Sequence, residues 1–109
     1  MENQNELLKI KETITSTLKD ENIDDAELFL FGSRARGNFS INSDYDIMIV
    51  TQRKIAIREK IKLFTRLTGV LAKKRYNVDI VIKSVDEVNY YRTKIGHIVR
   101  SAFNEGILI

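Results

Sequence analysis

Residues 28–51 read LFLFGSRARGNFSINSDYDIMIVT, and this stretch decides the fold. It contains two apolar runs, Leu28 to Phe31 and Ile47 to Val50, separated by small, polar and basic residues. Apolar runs of this length bounded by turn residues are typical of buried strands. We therefore predict strands at 28–31 and 44–51, joined by a loop with room for one short helical turn.

Helix and strand patterns flank this stretch on both sides. Apolar residues that recur every three or four positions predict amphipathic helices at 3–20 and 54–74. A third strand is predicted at 78–82, followed by a last helix that Ser84 caps and that ends before Gly106. The alternation of helices and strands predicts an α/β fold in which helices pack on a sheet.

Length and composition exclude several classes of protein. With 109 residues, the chain has the length of one domain, so residues 1–109 are expected to form a single domain. The longest apolar runs are four residues and no secretory signal is visible, so we expect a cytoplasmic protein without a membrane span. The chain has no cysteine and one histidine, which excludes thiolate zinc sites, cysteine nucleophiles and most histidine-based catalysis. Any catalysis must therefore depend on carboxylates.

Three aspartates interrupt the predicted strands. Asp44 and Asp46 share one face of the second strand, whereas Tyr45 points to the opposite face and is predicted to be core. A neighbouring strand can bring Asp79 alongside them. Carboxylates are rarely buried without a partner, because their dehydration costs several kcal/mol per ion. Oxygen ligands without Cys or His favour Mg2+, although an acidic cluster at the surface would show the same pattern.

The pair Gly32 and Ser33 directly follows the first strand and predicts a phosphate-binding turn. Glycine lets the backbone approach a ligand closely, and the serine hydroxyl and backbone N–H groups can donate hydrogen bonds. Arg34 and Arg36 add positive charge nearby. Ten residues separate Ser33 from Asp44, enough for the chain to leave one strand and return. Facing the carboxylates, such a turn would suit a nucleoside triphosphate.

The combination of Gly32-Ser33, ten intervening residues, Asp44-Tyr45-Asp46 and a later Asp79 resembles the signature of the DNA polymerase β nucleotidyltransferase superfamily. Over nearly its whole length the chain is similar to the stand-alone minimal nucleotidyltransferases, the MntA-type antitoxins that pair with HEPN-domain toxins. The resemblance implies the nucleotidyltransferase fold, with a small mixed β-sheet flanked by helices.

The resemblance also implies roles for the three aspartates. Asp44 and Asp46 would bind two magnesium ions. Asp79 would join one of these ions and help to deprotonate the hydroxyl group of the acceptor.

A second group of residues would hold the nucleotide. The resemblance implies that Gly32 and Ser33 hold the terminal phosphates of ATP. Arg34 and Arg36 would steady the triphosphate and the leaving pyrophosphate.

The implied reaction is transfer of AMP from Mg-ATP to a hydroxyl acceptor, for which a tyrosine of a cognate HEPN toxin is the first candidate. The chain has almost nothing outside the core to grip an acceptor, so an acceptor on a partner protein fits best. Two alternatives stay open: an antitoxin that binds nucleotide but acts by occlusion alone, and an enzyme that modifies a small molecule or RNA. The sequence decides neither the nucleotide nor whether the chain forms homo- or hetero-oligomers.

Residues 53–75 form a strongly basic segment with nine basic residues and one acidic residue. One hypothesis is a surface for an acidic partner or RNA; the other is a solvated helix face. The modest total charge of +3 favours the second hypothesis. Binding of nucleic acid is left undecided by the sequence.

Overall fold

The computed structural model describes residues 2–37, 39–40, 42–94, 100 and 104–109, with side chains from Asn5 onward. No helix in these ranges is both long and apolar enough to cross a bilayer. In chain order, the elements are α1 (Glu2–Asp20), β1 (Glu27–Phe31), α2 (Gly32–Arg36), β2 (Tyr45–Thr51), α3 (Ile57–Lys73), β3 (Val78–Ser84), α4 (Val85–Tyr91) and β4 (Ile107–Leu108).

The strands form one mixed sheet in the order β3-β2-β1-β4. β1 runs antiparallel to both β2 and β4, whereas β2 and β3 are parallel. The prediction of a small mixed sheet flanked by helices is therefore confirmed. β2 lies inside the sheet and is buried on both faces, which explains its almost continuous apolar sequence.

The two faces of the sheet carry separate apolar clusters. The larger cluster packs under α1 and α3 and includes Tyr45 and Ile47, whereas the smaller one packs under α4 and includes Met48 and Val50. The side chains of β2 thus alternate between the faces as predicted, and Tyr45 is a core residue. Asp46 lies on the face of the smaller cluster.

The predicted last helix is interrupted after Tyr91: residues 92–94 form a turn and bend, and helical backbone recurs at Arg100 and at 104–105, just before Gly106. α4 ends at Tyr91, and the backbone N–H of Lys94 donates to the Tyr91 carbonyl at 2.9 Å in a tighter i,i+3 turn. Tyr90, Tyr91 and Thr93 favour this ending, because aromatic and β-branched residues have lower helix propensities. The remaining apolar positions of the predicted helix, Ile95, Ile98 and Ala102, lie outside the described residues.

A short C-terminal strand was not predicted, since the sequence indicates only an apolar tail there. Leu108 pairs with Phe29 and Ile107 with Leu30, and the backbone N–H of Ile109 donates to the Leu28 carbonyl at 2.9 Å. Two residues are too few to show a strand period. Only the tertiary pairing with β1 defines β4.

Gly69 offers a direct test of helix propensity in α3. It is exposed, and a Cβ atom added there would meet nothing within 4 Å. Because alanine loses less backbone entropy in a helix, we expect Gly69→Ala to raise the free energy of unfolding by about 0.5–1 kcal/mol. Urea titration monitored by circular dichroism would measure this, and a destabilised variant would contradict the helix geometry described here.

The start of α4 is fixed by a capping box, which confirms the predicted role of Ser84. The Ser84 hydroxyl accepts a hydrogen bond from the backbone N–H of Glu87 at 3.3 Å, and Glu87 Oε1 accepts from the backbone N–H of Ser84 at 3.1 Å. Burial raises the pKa of Glu87, but the Ser84 hydrogen bonds and the charges of Lys60 and Lys83 outweigh it and lower the pKa below its usual value.

This capping box gives a prediction for stability. Ser84→Ala is expected to lower the free energy of unfolding by about 1 kcal/mol. Glu87→Gln is expected to be less stable than the wild type at neutral pH. Because the folded-state pKa of Glu87 is depressed, its charge contributes fully above the unfolded pKa and this contribution is lost as the pH falls through the folded pKa. Thermal unfolding of Glu87→Gln and wild type should therefore converge in acid; a constant difference would contradict the role of the charge.

Candidate active site

Asp46 and Asp79 lie side by side on adjacent strands. In the sheet register Asp46 is opposite Phe31 of β1 and Asp79 of β3. Neighbouring strands are about 4.8 Å apart, and residues in register on parallel strands point to the same face. The backbone N–H of Tyr45 donates to the Asn77 carbonyl at 2.9 Å, which fixes the start of β2 against the start of β3.

The pKa of Asp46 is raised above its usual value by its surroundings. Burial is the largest cause, followed by the negative charges of Asp79 and Asp44 and a hydrogen bond with Asp79. The nearby charge of Arg36 acts in the opposite direction but does not cancel these effects. Asp44, just before β2, is half-buried and Asp79 is exposed. The structure thus places Asp46 beside Asp79 and within electrostatic reach of Asp44, in a region of surplus negative charge.

Gly32 lies against this cluster. It directly follows β1 and has a positive φ of 71°, in a region of backbone conformation that favours glycine. A Cβ atom at this position would overlap the Oδ2 atom of Asp46. The sequence predicts that Gly32 allows a phosphate to approach the backbone closely. The structure shows that the space beside Gly32 is occupied by the Asp46 carboxylate.

Ser33 and Arg36 follow Gly32 in α2. Ser33 is partly exposed, and its hydroxyl makes no hydrogen bond with the residues that the structure describes. Arg36 is exposed, and its Nη1 atom forms an ion pair with Glu105 Oε2 at 2.9 Å. Since Arg36 also acts on the pKa of Asp46, its charge lies close to the carboxylates.

Arg34, in contrast, packs behind the site. Its guanidinium lies 4.1 Å from the centre of the Tyr45 ring and 4.5 Å from that of Phe39. Its Nε and Nη2 atoms donate to the Ser43 carbonyl at 3.2 and 2.9 Å, and the residue is only 8% exposed. Because Tyr45 faces away from Asp46, this placement differs from the triphosphate contact that the resemblance implies. Arg34 instead stabilises the loop immediately before Asp44, because it donates two hydrogen bonds to the Ser43 carbonyl.

The Tyr45 phenol is held on the same far face. Burial raises the pKa of Tyr45 to about 12, and a hydrogen bond with Glu6 acts in the same direction while the charge of Arg34 opposes it. The phenol therefore stays protonated at neutral pH. Although it stands between two aspartates in the sequence, Tyr45 does not face the carboxylate cluster.

The buried position of Arg34 leads to a prediction. Lysine cannot reproduce a planar group that stacks between two rings and donates twice to one carbonyl. We expect Arg34→Lys to lower the free energy of unfolding by about 2 kcal/mol. The matched control is Arg36→Lys, which alters an exposed ion pair but keeps the positive charge near Asp46, and should cost less than about 1 kcal/mol. Equal effects of the two substitutions in urea titrations would contradict the anchoring role of Arg34.

The side-chain chemistry of the three aspartates is of the kind that magnesium prefers. It supplies only oxygen ligands, and the negative charges of Asp79 and Asp44 add to burial in raising the pKa of Asp46. Within the described part of the chain, no three acidic or histidine side chains form a ready metal-binding group. Magnesium is usually bound by one or two carboxylates, with water and substrate phosphates completing its shell. The arrangement therefore suits an ion that arrives together with a triphosphate.

Two features of the site could not be found by sequence reasoning. Arg36 and Glu105 are 69 residues apart, and no local pattern connects them. The overlap between a Gly32 side chain and Asp46 depends on the register of β1 against β2. A glycine after a strand is a signal of close approach, but it does not name the group that approaches.

The family of the chain follows from its sequence match. Residues 9–109 match the family described as polymerase beta, nucleotidyltransferase. The chain belongs to the polymerase beta nucleotidyltransferase family, which confirms the resemblance drawn from the glycine-serine turn and the aspartates. A search of curated proteins gives no match.

Solved structures share the fold. A candidate nucleotidyltransferase from Sulfolobus solfataricus is 25% identical, with a TM-score of 0.64 over 98% of this chain and 82% of that chain. A toxin-antitoxin structure with AMP-PNP is 22% identical, with a TM-score of 0.55 over 89% of this chain and 69% of that chain. A mutant of the toxin-antitoxin MntA-HpeT is 19% identical, with a TM-score of 0.53 over the same two shares. The nucleotidyltransferase fold is thus confirmed.

Proposed function

We propose that the chain is a magnesium-dependent enzyme that transfers AMP from ATP to a hydroxyl acceptor. The observation that carries this proposal is the placement of Asp46 beside Asp79 and against Gly32, where burial and the charges of Asp79 and Asp44 raise its pKa. A surplus of negative charge on a rigid sheet suits a site that is completed by cations and a triphosphate.

The three aspartates have different positions and are proposed to have different tasks. Asp44 and Asp46 would hold magnesium, which when bound would neutralise charge on the phosphates and on the leaving pyrophosphate. Asp79 is the exposed member, so an acceptor hydroxyl that approaches from solvent can reach it. We assign to Asp79 a share in metal binding and the removal of the proton from that hydroxyl.

The residues of the turn would bind the triphosphate. Gly32 leaves room for Asp46, and the Ser33 hydroxyl, which makes no hydrogen bond within the described part of the chain, would donate to a terminal phosphate. The exposed Arg36 side chain, close to the carboxylates, would balance the charge of the leaving pyrophosphate. Arg34 would act indirectly, because its hydrogen bonds to Ser43 fix the residue before Asp44.

The proposed acceptor is a tyrosine of a HEPN-domain toxin in the cytoplasm. This follows from the sequence resemblance to MntA-type antitoxins, and the toxin-antitoxin structures among the fold neighbours support it. The neighbour solved with AMP-PNP makes ATP the first nucleotide to test.

The test is co-expression of the chain with a candidate HEPN-domain protein from the same genome, followed by intact-mass measurement of both. The proposal expects the partner to gain one or more AMP groups. Asp44→Ala and Asp79→Asn should abolish the gain while the complex still co-purifies, whereas Asp24→Asn, an exposed aspartate outside the cluster, should leave it unchanged.

Two outcomes would overturn the proposed acceptor. A partner that is neutralised without any added mass would indicate an antitoxin that acts by occlusion. Transfer of AMP by the purified chain alone to RNA or to a small molecule would indicate a different substrate class.

A further inference from the structure

Three large apolar side chains lie exposed along one side of α3. Ile57, Ile61 and Phe64 are 69%, 60% and 44% exposed, and their spacing of four and three places them on one helix face. We refer to them as the α3 stripe. Together with Lys60 and the buried Ile82 of β3, they line a groove between the helix and the edge of the sheet. Contiguous exposed apolar surface with a polar border is typical of interaction sites.

The border of the α3 stripe is basic. Arg58 and Lys62 are exposed beside it and have no ion-pair partner among the residues that the structure describes. Arg66, one turn further along α3, is paired: it forms ion pairs with Asp20, the last residue of α1, and with Glu21 directly after it. Positive charge next to the stripe is therefore unbalanced within the described residues, as it also is at Lys54 and at residues 73–75 of the basic segment.

We infer that the α3 stripe is the docking site for an acidic amphipathic helix of a partner protein. The apolar side of such a helix would cover the stripe, and its carboxylates would meet Arg58 and Lys62. A second copy of this chain fits less well, since two faces with the same unbalanced positive charge would meet. RNA would use the cations but would leave the three apolar side chains in water.

This surface is separate from the carboxylate cluster. Ile82 lies three residues beyond Asp79 on β3, about 10 Å along the strand, and points to the opposite face of the sheet. A partner docked on the α3 stripe would leave the aspartates accessible. The inference therefore does not depend on the proposed enzymatic activity.

The test uses a synthetic helical peptide with leucines on one face and glutamates on both flanks, titrated into the full-length chain and followed by fluorescence anisotropy. The double variant Ile61→Ser/Phe64→Ser removes apolar contact. The double variant Arg58→Glu/Lys62→Glu reverses the charge. All four residues are exposed, so both double variants should fold. Each is expected to weaken binding about tenfold or more. The matched controls on α1 are Leu8→Ser, which is 53% exposed in the wild type, and Lys9→Glu, and both should bind like the wild type.

The remaining outcomes would overturn the inference. These are no binding of the peptide, equal binding by the stripe variants, or equal binding of a peptide with lysines in place of the glutamates. Dimerisation of the free chain that Ile61→Ser/Phe64→Ser abolishes, measured by sedimentation, would assign the stripe to a second copy. Binding of a single-stranded RNA that only the charge-reversal variant loses would assign the surface to nucleic acid.

Discussion

Replacing Gly32 by alanine is expected to reduce nucleotidyl transfer about 100-fold or more and to lower the free energy of unfolding by about 3 kcal/mol. Two effects combine in this variant. Alanine is strained at a φ of 71°, and its Cβ atom would displace the carboxylate of Asp46. Because Asp46 is held between two strands, the displacement must distort either the carboxylate position or the turn.

Gly37→Ala is the matched control for this prediction. Gly37 has a similar positive φ of 82°, but a Cβ atom there would meet nothing within 4 Å. It therefore shares the backbone strain and lacks the overlap, so we expect a loss of about 1 kcal/mol in stability and nearly full activity. Urea titrations and release of pyrophosphate from ATP would measure the two effects. Similar behaviour of the two alanine variants would contradict the close approach of Gly32 to Asp46.

Asp79→Asn is expected to lose activity and to gain stability. Asparagine cannot accept the proton of an acceptor hydroxyl, so transfer should fall about 100-fold or more. The same change removes a negative charge beside Asp46, whose pKa is raised in the folded protein. Because the pKa of Asp46 is higher in the folded protein than in the unfolded chain, ionisation of Asp46 destabilises the fold when the pH exceeds the unfolded pKa. The variant should therefore melt at a higher temperature than the wild type at neutral pH.

The pH dependence separates this explanation from a general effect on packing. As the pH falls through the carboxylate range, Asp46 becomes protonated and the repulsion disappears, so the stability gain of Asp79→Asn should vanish in acid. Asp24→Asn, a change at an exposed aspartate far along the chain from the cluster, should alter neither activity nor stability by a measurable amount. A variant of Asp79 that is less stable than the wild type at neutral pH would show that its charge is balanced in the folded chain.

The sequence predicted the parts of the fold that depend on local pattern. The alternation of Tyr45, Asp46, Ile47 and Met48 between two faces follows from strand geometry alone, and Ser84 could be recognised as a helix cap because capping depends on adjacent residues. The three aspartates could be recognised as candidate site residues because charged side chains are rarely buried in apolar strands without a binding partner.

The features that the sequence did not predict depend on tertiary contacts. Arg34 and Arg36 are two residues apart and chemically identical, yet one is buried between aromatic rings and the other is exposed near Glu105. Their difference is set by where the loop before Asp44 returns to the sheet. β4 is likewise defined by its pairing with β1, which a two-residue apolar segment does not reveal.

The interior position of β2 has a consequence for inhibitor design. Asp46 is flanked by backbone hydrogen bonds to β1 on one side and β3 on the other, so its main chain cannot move without breaking the sheet. A small molecule that binds the Asp46 carboxylate would therefore find the residue's backbone in a fixed position. Discrimination between related enzymes would then have to come from the periphery of the site, where exposed loop side chains such as Ser40 and Asn42 can differ.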